Sequence, residues 1–387
     1  MSSNERLDNG LINDNTEICG DGCTGIEDEQ NAGSEDIEEP FDPSKLRVDT
    51  KTLTIDLLVS RIERNEIDLN PEFQRKGGIW KDPVQSRLIE SLIIAIPIPA
   101  FYFDATNEEK WLVVDGLQRL FTLKRFIVDE DLTLSGLEFV NDQEGKKFSG
   151  LPRKFQRRIL ETQVITYLIK EGTPGKVKFN IFKRINTGGL PLSTQEIRNA
   201  LNPGNATKLL KKLAESDEFL NATDRSIRDE RMADRECVLR FLAYTITPYT
   251  EYKIKDLDGF LNECMKKINE MSDTQLADLE QKFLRAMRIA YRVFGHYAFR
   301  KMIKIGGLVP RQPINKALFE AWSVTLNKLK DSDVELLEER KDELFEKYDK
   351  LLSEVEFFNA VSVGTDNVYK VKIRFKEIED LIQEVLF

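Results

Sequence analysis

The sequence predicts an α+β chain, a mixed α/β part followed by an all-helical part. Three observations lead there. Up to about residue 204, short alternating or wholly apolar runs interleave with runs of helical period. Beyond about Asn205 the strand signals almost cease, and residues 207–216, 231–247, 257–270, 274–294, 314–329, 334–355 and 373–386 all repeat at helical period. Ahead of both, residues 1–45 hold 13 acidic and 2 basic side chains among Gly, Asn and Ser. That composition buries too little surface to offset its ordering entropy. The expected organisation is a disordered acidic tail over 1–45, an α/β domain over 46–204 and a helical domain over 205–387.

Charge follows the same division. The 387-residue chain has a net charge of −10, yet the residues after the tail hold 54 acidic and 55 basic side chains. The low pI therefore describes the tail. A near-neutral body still allows a local basic patch, so DNA stays open as a partner. No apolar run approaches the roughly 18 residues that span a bilayer. The longest, Leu92 to Ala100, is cut by Pro97 and Pro99. The start of the chain lacks the basic-then-apolar layout of a signal peptide, so a cytoplasmic protein without membrane contact is expected.

Two residue types exclude chemistry. Cys19 and Cys23 lie in the tail, and Cys237 and Cys264 lie in helical patterns. A C-x3-C pair without nearby histidine is a poor zinc signal, so free thiols and no metal site are expected. The chain has a single histidine, His296. HNH-type nucleases and zincins need more than one. His296, among Tyr291, Val293 and Phe294, reads as packing or a surface contact.

In the α/β part, Thr54 can cap a helix running to Ile67 with Ile55, Leu58, Val59 and Ile62 on one face. An extended segment, Ile67 to Phe73, follows. Asp82-Pro83 marks a helix start, with the Asp as cap, and the helix runs to about Ala95. Strands are expected at Ala100 to Phe103, Trp111 to Val114, Leu137 to Val140 and Gln163 to Ile169. Helices are expected at Leu117 to Val128, Pro152 to Glu161 and Pro174 to Ile185. Ser193 and Glu196 form a capping box opening a helix to Leu201.

The chemistry concentrates at Val113-Val114-Asp115-Gly116-Leu117-Gln118-Arg119. An apolar strand delivers Asp and Gly to a helix start. Gly permits close backbone approach, a helix N-terminus offers unsatisfied N–H groups, and Arg119 brings a planar fork suited to phosphate. The same residues also suit an ordinary strand, tight turn and capped helix. Two further segments bring Arg beside Gln or Asn in loops: Asn70-Pro71-Glu72-Phe73-Gln74-Arg75, and Ile181 to Gly189 running into Leu190 to Asn199. A basic cluster, Lys146, Lys147 and Arg153 to Arg158, suits either a phosphate backbone or solvent.

These three segments, in this order and spacing, resemble the DGQQR-domain family. It is typified by the N-terminal domain of GmrSD-type restriction endonucleases, with SspE-like defence proteins beside it. The resemblance covers roughly residues 50–205. It implies a ParB/sulfiredoxin-like fold and the binding of a nucleoside triphosphate with Mg2+. It also implies NTP hydrolysis that gates action on foreign DNA. Carried onto this chain, Asp115, Gly116, Gln118 and Arg119 would hold the phosphates, with Asp115, Gln118 and Arg119 as the catalytic candidates. Gln74 and Arg75 would face the same pocket. Arg184, Asn186, Thr187, Gly188 and Gly189 would close it, with Gln195, Glu196 and Arg198 on the helix that follows.

The chain departs from the family pattern twice. The motif's first Gln is Leu117 here, which puts hydrolysis in doubt and leaves binding intact. With His296 alone, these residues are not expected to form the HNH half of the GmrSD proteins. A second reading is therefore a non-catalytic nucleotide- or DNA-sensing module that recruits a separate nuclease subunit. A third is a metal-dependent nuclease within the α/β domain, using Asp115 with Glu196 or Glu72. A homodimer is compatible with each.

Overall fold

Thr54 ends the first strand and starts the first helix, its hydroxyl accepting the Leu57 N–H at 3.3 Å. The computed structural model describes residues 25–27, 47–69, 80–185, 193–227, 231–253, 256–302 and 311–387. Five strands form one sheet: β1 (Val48–Thr54), β2 (Ile67–Asp68), β3 (Phe101–Asp104), β4 (Trp111–Asp115) and β5 (Gln163–Ile169). Their order is β1-β5-β3-β4-β2. β1 runs antiparallel to β5 and β3 antiparallel to β4, while β3 with β5 and β4 with β2 are parallel.

Alternation explains how the sheet is covered. Phe101 and Phe103 point to one face, where they meet helices α1 (Ile55–Glu63), α2 (Asp82–Ile93), α3 (Leu117–Leu123) and α4 (Arg153–Glu161). Ile55, Leu58, Ile89, Leu92, Leu120 and Ile159 complete that core. The other face carries a smaller cluster, in which Val114 and Ile169 meet Phe179, Phe182 and Ile197. Those last residues come from α5 (Gly175–Ile185) and α6 (Thr194–Leu201).

The remaining chain is helical: α7 (Asn205–Ala214), α8 (Asp217–Ala222), α9 (Ala233–Ile246), α10 (Leu257–Asn269), α11 (Asp273–Phe294), α12 (Lys316–Lys328), α13 (Asp331–Glu339), α14 (Lys341–Ser353), α15 (Val355–Ser362) and α16 (Val368–Leu386). They share one apolar core around Phe283, Met287, Trp322 and Phe375. Inside it Arg240 reaches Glu236 at 2.8 Å and Glu320 at 3.5 Å, and Arg374 bonds Glu320. Buried charges are tolerated only when paired in this way. Cys237 and Cys264 are buried free thiols, and burial pushes both up to about 12. Among the described residues no helix is long and apolar enough to cross a membrane.

Several local expectations are met. The Ser193–Glu196 capping box forms, with the Glu196 N–H on the Ser193 hydroxyl at 3.1 Å. Others are corrected. Leu137 to Val140 is not a strand. The buried Glu90 carboxylate takes the N–H groups of Glu138, Phe139 and Val140 at 2.6–3.2 Å, leaving none of them for a ladder. Asp82 does not cap α2: Lys81 holds that position, and the Asp82 carboxylate turns to Arg125 at 2.9 Å. The expected helix over Leu117 to Val128 is α3 followed by a wider π turn, Lys124–Val128. Of the acidic tail, Gly25, Ile26 and Glu27 fall within the described residues, and they pair with Ile314 rather than standing free.

Candidate functional site

Gly116 makes the turn at the end of β4 possible. Its φ is +100°, a left-handed conformation that other residues adopt at a cost. A Cβ there would lie 2.4 Å from Phe101 Cδ1. The glycine thus serves packing against Phe101 as well as chain reversal. α3 begins at the next residue, and its first internal bond is Leu120 N–H to Gly116 O at 2.9 Å. Helix geometry leaves the N–H groups of Leu117, Gln118 and Arg119 without an acceptor inside the helix.

Asp115 and Arg119 are one turn apart, with Oδ2 2.7 Å from Nη2. Arg119 is only 7% exposed. Its Nη1 donates to the Pro99 and Ala100 carbonyls, and its guanidinium lies 4.7 Å above the Phe101 ring. Burial raises the Asp115 carboxyl above its ordinary value, against the pull of Arg119 and of the Gly116 N–H. Burial lowers the Arg119 guanidinium, against the pull of Asp115. The fork expected to meet a phosphate is therefore largely committed to the protein, where it holds Asp115 and the chain entering β3.

Gln118 ties a second segment to the turn. Its Oε1 accepts the Trp80 N–H at 3.2 Å, while Gln85 donates to the Trp80 carbonyl at 2.6 Å. β2 runs parallel to β4, so the chain leaves β2 at the end where Asp115 lies. One end of the stretch between β2 and Trp80 is thus bonded to the turn, and the other leaves β2 beside Leu112, heading toward the Asp115 end of β4. Gln74 and Arg75, and Glu72 with them, lie in that stretch, outside the described residues.

α5 brings a third segment to the same end. Near its start Lys178 bonds Asp104 at 2.9 Å, at the far end of β3. One turn later Phe182 shares a cluster with Val114, next to Asp115. Arg184, in the last turn, is exposed. Asn186, Thr187, Gly188 and Gly189 lie outside the described residues. Gln195 is fully buried, taking Arg198 Nη1 at 3.0 Å and giving a hydrogen bond to Asn199 at 3.1 Å. It belongs to a packed polar network that continues to Asp258 through Arg198. The Glu196 carboxylate is used in the capping box.

Leu117 is partly buried and is a member of none of the three apolar clusters. Among the described residues it is therefore not part of an apolar core. Sequence reasoning missed Tyr102 and Tyr167. They are register partners on β3 and β5, and their rings stack at 4.7 Å. Burial, with Tyr167 and Asp115 nearby, raises the Tyr102 phenol. The alternation of β3 and β5 held the signal, since it sets both tyrosines on the face away from the larger core.

A cleft of about 760 Å3 lies between α5 and α10, lined by Lys178, Phe179, Tyr252, Phe260 and Lys266. It contains none of the motif residues and sits by Asp104, at the opposite end of β3 from Asp115. The motif therefore stands on its own geometry. Among the described residues no three His, Cys, Asp or Glu side chains gather as a metal-holding group.

Residues 55–202 match the family model described as GmrSD restriction endonuclease, N-terminal domain. The chain carries a GmrSD-type N-terminal domain. The matched stretch opens at the first residue of α1 and closes just after α6, so it contains the Asp115 turn and both flanking loops. β1, which completes the sheet beside β5, lies outside it. None of the curated proteins compared with the chain matches it.

Proposed function

We propose that the GmrSD-type domain binds a nucleoside triphosphate at the Asp115–Arg119 turn, and that this binding controls a restriction-type response to foreign DNA. The observation that carries the reading is convergence. One flanking segment bonds the start of α3 through Trp80 and Gln118, and the other, α5, packs Phe182 against Val114 beside Asp115, at a helix start whose first N–H groups have no acceptor inside the helix. The name of the matched family supplies the restriction context. The ParB/sulfiredoxin-like fold belongs to the same reading.

In this reading the N–H groups of Leu117 to Arg119 hold phosphate oxygens. Gln74, Arg75 and Asn186 to Gly189 close over them. Arg119 acts as a positioning residue: it fixes Asp115 and the strand entering the turn. Asp115, with 24% of its side chain exposed, is the group that would hold Mg2+. The metal's part is to neutralise phosphate charge. The stacked Tyr102 and Tyr167 offer an aromatic surface next to Asp115.

Leu117 favours the sensing version of this function over rapid hydrolysis. An apolar side chain at position 117 neither orients a water nor bonds a phosphate. This version calls for a separate nuclease subunit and is compatible with DNA and a second copy of the chain as further partners. The test is a binding titration across the four nucleoside triphosphates, with turnover measured in parallel. Wild-type chain should bind one or more of them with little turnover. Gln118→Ala and Arg75→Ala should weaken binding at least tenfold while leaving the melting temperature nearly unchanged. Leu117→Gln should raise turnover. Absence of binding to all four, or equal affinity in all variants, would overturn the proposal.

A further inference from the structure

Three residues of the acidic segment are gripped by the helical part of the chain. The Glu27 N–H donates to the Ile314 carbonyl at 2.8 Å, and the Ile314 N–H donates to the Gly25 carbonyl at 2.7 Å. Ile314 also bridges Arg300 on its other side, so Gly25–Glu27 pairs with Ile314 in the manner of an added strand, as a single isolated bridge. Ile26 packs against the helical core.

Each residue meets a surface that selects it. Gly25 has φ +72°, and a Cβ there would fall 1.9 Å from the Ser226 carbonyl oxygen, so only glycine fits. The Glu27 carboxylate receives Lys301 Nζ at 2.6 Å and Asn315 Nδ2 at 3.0 Å. Lys301 and Asn315 are 7% and 4% exposed. Asn315 is held in place by capping α12, through the Leu318 N–H at 2.8 Å, and by bonding the Val361 carbonyl at 2.6 Å. Arg300 stiffens the opposite wall by donating to the Thr223 carbonyl at 3.1 Å and the Ser226 hydroxyl at 2.9 Å.

The charge balance is the decisive point. A buried ammonium needs a counter-charge. Among the described residues, Glu27 is the carboxylate that Lys301 meets. Its other contacts are the Ser362 hydroxyl at 2.7 Å and the Phe358 ring at 4.7 Å. The pocket is built by residues 223–226, 300–301, 314–315 and 358–362, while the carboxylate arrives from a segment 274 positions earlier in the chain.

We propose that the helical part carries a peptide-recognition site for a short Gly-apolar-Glu segment, filled in cis by Gly25–Glu27. The occupied site latches the acidic arm onto the body. Tethering gives the arm a high effective concentration, so an equivalent peptide enters only after the arm has left.

The probe is a labelled synthetic peptide spanning residues 19–33 of this chain, with Cys19 and Cys23 replaced by serine. It is titrated against full-length wild-type protein and against the full-length Ile26→Asp, Glu27→Lys variant, whose own arm no longer fits. The variant should bind the peptide at least tenfold more tightly than wild type. Adding Lys301→Met should remove that binding, as should Glu27→Gln in the peptide. Equal binding by wild type and variant, or binding by neither, overturns the proposal. Should the double variant fail to fold, Glu27→Gln in the full chain serves instead. Amide exchange at Ile314 should then quicken at least tenfold, and unchanged exchange there overturns the latch.

Discussion

Asp115 and Arg119 form an ion pair, 2.7 Å apart, in which burial works against both charges. The carboxyl is raised and the guanidinium lowered although each faces its opposite. Such a pair adds little net stability, yet breaking it leaves a buried charge alone. Arg119→Met and Asp115→Asn should each destabilise the chain by about 3 kcal/mol, the lower end of the usual range, because Asp115 keeps some solvent contact. The double variant should lose less than the sum of the singles, by about 1.5 kcal/mol or more. Denaturant melts of the four proteins form the double-mutant cycle that checks this. Strict additivity would show that the pair does not hold the turn. A nucleotide-binding loss in Arg119→Ala therefore has to be read beside its melt.

Gly116 has two demands on it, a positive φ and contact with Phe101. Gly116→Ala should cost roughly 1–2 kcal/mol for the backbone and about 1–3 kcal/mol more for the clash. Phe101→Leu introduced beside it should recover part of the second component and none of the first. The melts of Gly116→Ala with and without Phe101→Leu separate the two. No recovery would mean that Phe101 is not what confines this turn.

Glu90 links the packing of the α/β part to pH. Burial pushes its carboxyl up, but the N–H groups of Phe139, Val140 and Glu138, helped by Arg87, outweigh it and hold the carboxyl below its ordinary value. A folded pKa below the unfolded one means that the unfolded chain binds the proton more readily. The stabilisation is therefore complete above the ordinary carboxyl value near 4.5 and is lost as pH falls through the depressed folded value. Glu90→Gln should cost about 2 kcal/mol at neutral pH, since a neutral amide accepts these bonds less strongly. Its deficit relative to wild type should shrink in acid. Amide exchange at Glu138 to Val140, followed from pH 7 to pH 3, reports the release directly. A deficit that does not change with pH would remove Glu90 from this role.

What the sequence settled by itself was local. Residues a few positions apart determine a helical or alternating period, so the β3, β4 and β5 strands and most helices were legible. Caps are equally local, which is why Thr54 and the Ser193–Glu196 box were correct from spacing alone. The motif Asp115 to Arg119 was visible for the same reason, as were the loops on either side of it.

Only the tertiary structure decided where the polar side chains are spent. Arg119 gives its donors to carbonyls 19 and 20 residues away. Glu90 takes N–H groups 48 to 50 residues on, and so turns the segment Leu137 to Val140 into a strapped loop. Glu27 finds its cation 274 residues later, and three residues of an acidic tail become part of the fold. These contacts have no period and no fixed spacing. Each exists because burial makes an unpaired donor or charge costly, and the chain's path alone determines which distant partner is within reach.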